Sequence, residues 1–123
     1  MVDAATDRLA AAAAAVRRGD RAHARALLDS IGASEAGVSW TVIGRLEEAL
    51  GEVERAVVAY SRALTIAPRD LPALLSMGAL HMRSGRDRDA SACYRTALAV
   101  ASEPGFRAPP DLHPMLHEAQ AFL

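Results

Sequence analysis

One stretch of this chain lies on another when it is shifted by 34 residues. Gly44 falls on Gly78, Gly51 on Gly85, Ala56 on Ala90, Tyr60 on Tyr94, Ala63 on Ala97 and Leu64 on Leu98. The run Tyr-Ser-Arg-Ala-Leu at 60–64 returns as Tyr-Arg-Thr-Ala-Leu at 94–98. A period of this length means a stacked array of small supersecondary units, because each unit by itself cannot bury its apolar face.

Each unit reads as two helices. Residues 37–50 carry Trp40, Ile43, Leu46 and Leu50 at helical spacing, and Gly51 stops the run. Residues 53–66 resume with Val53, Ala56, Val57, Tyr60, Ala63 and Leu64, and Pro68 ends the unit. Asp70 is the expected N-cap of the next helix, and Pro72 sits in its first turn, where a missing N–H costs little. Residues 71–84 and 87–101 repeat the pair around Gly85. A worn copy precedes them at 4–31: Gly19 holds the turn slot, Ala24 the small slot and Leu28 the aromatic slot, and the loop that follows is about two residues shorter than the period requires. A breaker-rich link at 103–110 leads to residues 111–123, where Asp111 is the expected N-cap of a final helix carrying Leu112, Leu116, Ala119 and Phe122.

The pattern Trp40-x-x-Ile43-Gly44, then Ala56-x-x-x-Tyr60, then Pro68, resembles the tetratricopeptide repeat. The second copy is Leu74-x-x-Met77-Gly78-x-x-His81, then Ala90-x-x-x-Tyr94, with Ser102 where the family has its last proline. Glu47 departs from the pattern by standing where the family has tyrosine. The resemblance implies an all-α superhelix, a solenoid of three helix pairs plus a C-terminal capping helix, built as one domain over 1–123 with units at 4–31, 37–68, 71–102 and 111–123. On this reading glycine on the first helix and alanine on the second bring the two close, while the tyrosine fills the gap to the next unit.

It also implies a function. First helices of successive tetratricopeptide units line a concave groove that holds a peptide or helix. In this register the groove residues are Val38, Thr41, Arg45 and Glu48, then Leu75, Ala79, Met82 and Arg83, with Leu9, Ala13 and Val16 from the worn unit. Chaperone-binding members of the family grip a C-terminal carboxylate with charged and amide side chains; the matching slots here hold Leu9, Ala13, Val42, Pro72 and Ser76, which argues against such a ligand. The expected role is that of a protein-binding scaffold without catalysis or cofactors, able to pair with a second copy through its ends. A second resemblance runs through Pro109-Pro110-x-Leu112-x-Pro114-x-Leu116, which is similar to the segment after the repeats in bacterial aspartyl/asparaginyl β-hydroxylase-like proteins. It implies, as the alternative, a non-catalytic accessory region of a 2-oxoglutarate-dependent protein. The tail stops while still helical, which suggests a longer protein.

Composition narrows the partners. Lys+Arg total 14 against 15 Asp+Glu, a net charge of −1, so the basic field that nucleic-acid binding requires is absent. All the basic residues are arginine and alanine dominates the 51% apolar content, a bias of GC-rich, bacterial genomes. The apolar run 9–16 is far shorter than the roughly 20 residues a membrane span needs, with Asp3 and Asp7 before it and Arg17 and Arg18 after it, so no membrane partner is expected and the location is read as cytoplasmic.

Other chemistry is thin. His113 and His117 are spaced i, i+4, yet no third ligand accompanies them, so they read as polar residues of the cap helix and no metal site is expected. His81 reads as a packed residue in the aromatic slot and Cys93 as an inert small side chain. Arg17, Arg18, Arg21 and Arg25 cluster on the worn unit, and Arg83, Arg86 and Arg88 flank Gly85; interleaved aspartates make both solvated faces rather than phosphate patches.

Overall fold

The computed structural model describes residues 4–32, 35 and 37–123, so most of the shortened connection after the worn unit lies outside the described residues. Among the described residues seven α-helices follow one another: α1 Ala4–Arg18, α2 Arg21–Asp29, α3 Trp40–Ala49, α4 Val53–Ile66, α5 Leu71–Arg83, α6 Asp87–Ala101 and α7 His113–Phe122. One 3-10 turn, Pro110–Leu112, leads into α7. No strand occurs among the described residues. The chain divides into two compact units, Met1–Ala59 and Tyr60–Leu123, with the division inside α4.

The helix ends follow local chemistry. After α3, Gly51 takes φ +78°; its N–H donates to the Glu48 carbonyl at 2.9 Å, and the Glu52 N–H donates to the Glu47 carbonyl at 2.9 Å. After α5, Gly85 does the same at φ +75°, with Gly85 N–H on Met82 O at 3.1 Å and Arg86 N–H on His81 O at 2.8 Å. This paired bonding satisfies the last carbonyls of a helix and needs a residue free to adopt positive φ. Gly19 closes α1 in the same way, with Asp20 N–H on Ala15 O at 2.9 Å.

Starts are capped by side-chain oxygens. Asp20 accepts from His23 N, and Asp70 accepts from Ala73 N, as expected. Two starts differ from expectation. The helix read as 37–50 begins at Trp40, because Ser39 is extended and its hydroxyl accepts from the Val42 N–H at 3.2 Å. Asp111 is not the N-cap of the last helix: it lies inside the 3-10 turn, and α7 starts after Leu112 with no side-chain cap.

In the first unit α1 lies against α2 and α3. Its inward face is nearly all alanine, with Ala5, Leu9, Ala12 and Ala15 buried, so close approach stands in for bulk. Buried across from them are Ala24 and Leu28 of α2 and Trp40 and Ile43 of α3.

In the second unit α5 and α6 pack together, and α7 lies on both. The core is Leu71, Leu74 and Leu75 of α5, Ala90, Tyr94, Ala97 and Val100 of α6, Leu112, and Ala119 of α7. Tyr94 lies over its own pair's Gly78: a Cβ there would stand 2.6 Å from Cε1 and 2.7 Å from Cδ1. Its ring also meets Phe122 of α7 edge-on, at 5.5 Å between centroids and 65° between planes. The expected roles of glycine and tyrosine are therefore joined. The glycine vacates the space that the tyrosine ring fills, and the same ring also meets α7.

Candidate protein-interaction surface

The expected groove residues divide by exposure. On α3, Arg45 is exposed, Glu48 and the preceding Val38 are half-buried, and Thr41 is buried. On α5, Arg83 is exposed and Met82 half-buried, while Ala79 and Leu75 are buried. Leu75 has no exposed surface at all, because it belongs to the core beneath Tyr94. In the worn unit Leu9 is buried, and Ala13 and Val16 are half-buried. Of the expected residues, those that keep exposed surface are Arg45 and Glu48 on α3, with Val38 just before it, and, in the second unit, Met82 and Arg83 on α5.

The arginine cluster of the worn unit is not one solvated face. Arg25 reaches from α2 to Glu47 of α3 as a fork, with one N–H pairing Nη1 to Oε1 and the other donating from Nη2 to Oε2 at 2.9 Å. Glu47 is 5% exposed. A buried carboxylate is tolerated only when paired and hydrogen-bonded, and the planar guanidinium supplies both. The same guanidinium bonds Asp29 through Nε at 3.0 Å, and Asp29 accepts from Arg55 Nη1 at 2.6 Å. These bonds from Arg55 and Arg25 hold the Asp29 carboxyl below the usual carboxylate range, and the bond to Glu47 holds Arg25 firmly protonated. Arg21 donates to the Leu50 carbonyl at the C-terminal end of α3. The glutamate that looked like a departure from the repeat is therefore one half of a cross-helix ion pair.

The remaining candidates resolve in the second unit. Cys93 is buried, and burial followed by the Asp89 charge pushes its thiol up, the reverse of what a nucleophilic thiolate needs. His81 is 5% exposed and packed; its Nδ1 and the Tyr94 hydroxyl are buried with no hydrogen-bond partner among the described residues. Burial, helped by Glu118 and opposed by Arg83, raises the Tyr94 phenol. Arg88 and Arg95 share a shallow cleft with Asp87 and Ser91, so the positive charge there is diluted as expected.

A second cleft, about 440 Å³, opens between α6 and α7 and was not foreseen. Leu98, Ala101 and Leu116 line it together with Ser102, His113, His117 and Gln120. Only the i, i+4 histidine spacing hinted at it. Among the described residues no group of three or more His, Cys, Asp or Glu is placed to share a metal. No helix among them is long and apolar enough to cross a membrane.

Residues 38–70, which span α3 and α4, match the sequence model of a family described as the tetratricopeptide repeat. No curated protein matches the chain.

Proposed function

We propose, from the premise that this chain carries a tetratricopeptide repeat domain, that it is a protein-interaction module holding a peptide or helix along the first helices of its pairs. The match over 38–70 carries this reading, since repeats of this kind exist to stack and present surface rather than to assemble reactive groups. The exposed and half-buried residues of each unit taken by itself support it, Val38, Arg45 and Glu48 in the first and Met82 and Arg83 in the second, because apolar contact with flanking charge suits an amphipathic segment. The acidic and basic members together favour a ligand that carries both signs.

The test is capture from a cell extract followed by mass spectrometry, repeated with Arg45→Glu. Arg45 is exposed and the core does not depend on it, so the thermal midpoint should stay where it is while capture of the partner falls. Undiminished capture by the variant would remove α3 from the binding surface.

A further inference from the structure

We propose that His113 and His117 form a two-imidazole site for a late first-row divalent ion on the wall of the α6/α7 cleft. This departs from the expectation drawn from the sequence, which turned on the missing third ligand.

Three observations carry it. Both histidines are exposed and both line the same cleft, so their rings share one face of α7. His113 is the first residue of α7, and its backbone is already helical at φ −57° and ψ −43°, so the i, i+4 relation holds from the first ligand onward. That spacing sets the two Cβ atoms about 5–6 Å apart, within reach of a single ion bound at about 2.0–2.1 Å from each nitrogen. Finally, no arginine lines the cleft, so no fixed cation there opposes an incoming one.

The donor set chooses the ion. Imidazole suits copper, nickel and zinc, whereas magnesium and calcium want oxygen ligands. Two protein ligands leave the other coordination positions to solvent, so the site is open and modest in affinity, with Cu²⁺ bound more tightly than Ni²⁺ or Zn²⁺. Both ligands face one ion only while the first turns of α7 are helical, so the ion binds the folded state and stabilises it by mass action. Gln120 lies on the same wall, one turn beyond His117.

The experiment uses the whole chain, stripped with a chelator and titrated with Cu²⁺, Ni²⁺, Zn²⁺ or Mg²⁺ by calorimetry and thermal unfolding. One transition-metal ion should bind per chain and raise the melting temperature; Mg²⁺ should do neither. His113→Ala and His117→Ala, both surface changes, should each weaken binding by about 10–100-fold, a range seen even when only an outer partner of a metal ligand is lost. Either change should also remove the thermal shift. His23→Ala, far along the chain, should change nothing. Gln120→His, which adds an imidazole to the same wall, should tighten binding. No ion binding, or binding that survives both alanine variants, overturns the proposal.

Discussion

Gly78 and Tyr94 are in such close contact that a methyl group on the glycine Cα would stand 2.6 Å from the edge of the tyrosine ring. The contact joins α5 to α6, and the same ring meets Phe122 of α7 edge-on.

Gly78→Ala should therefore destabilise the protein. Forcing atoms into a filled core costs about 1–3 kcal/mol, against which the better helix propensity of alanine returns up to about 1 kcal/mol. Denaturant unfolding of Gly78→Ala, Tyr94→Leu and the double variant checks it. The double variant should lose less than the sum of the single losses, because leucine relieves the clash; strict additivity would refute the contact.

Tyr94→Phe should be neutral or stabilising. The hydroxyl is buried with no hydrogen-bond partner among the described residues, so removing it lifts a desolvation cost of about 1–3 kcal/mol. Alkaline pH gives a second reading. Burial and Glu118 raise the phenol above its ordinary value of 10, so the fold favours the neutral form. The unfolded chain then loses its proton first, and stability present below about pH 10 declines as pH rises past that value. Wild type should weaken more than Tyr94→Phe over that window in a pH series of unfolding curves.

Glu47→Ala should cost about 1–3 kcal/mol, since it removes the charged fork from Arg25, which keeps its bond to Asp29, and leaves a buried void. Replacing the pair together, Arg25→Met with Glu47→Leu, should recover most of the loss, because a well-packed apolar pair can equal a buried ion pair. Thermal melts of the three variants decide the point; a double variant as unstable as Glu47→Ala would mean that the charges contribute more than packing can replace.

Strong acid, below the ordinary carboxylate value, should loosen the α2–α4 network by a small amount. Bonds from Arg55 and Arg25 lower the Asp29 carboxyl, so the folded state holds it ionised more readily than the unfolded chain does. Its contribution is present above the ordinary carboxylate value and disappears as pH falls through the lowered one. Asp29 is half-exposed, which keeps the effect slight. Asp29→Asn should flatten that acid limb, as a comparison of melting temperatures from pH 6 to pH 2 would reveal.

The order and the turns of the helices were legible because their causes are local. Gly51 and Gly85 stop helices by bonding three positions back while the residue after each bonds five positions back, and Asp70 caps one through a residue three positions ahead. Such signals survive in any fold that keeps the segment helical. Asp111 misled because cap chemistry says where a turn can begin, and here a 3-10 turn from Pro110 to Leu112 already contains Asp111 before α7 starts.

What the sequence by itself determined is the repeat: the 34-residue period, the alternation of helix and stop, and the glycine and alanine slots. Tertiary structure alone decided which groups meet. Arg25 and Glu47 are 22 residues apart, and no rule of spacing joins an arginine in a presumed solvated cluster to a glutamate in a tyrosine slot. Leu75, a groove position by register, is fully buried in one cluster with Leu71, Leu74, Ala90 and Tyr94. The cleft that holds His113 and His117 exists only because α7 lies against α6 at one particular offset. Periodicity fixes which face of a helix turns inward; only packing, where burial and desolvation are settled pair by pair, fixes what that face finds there.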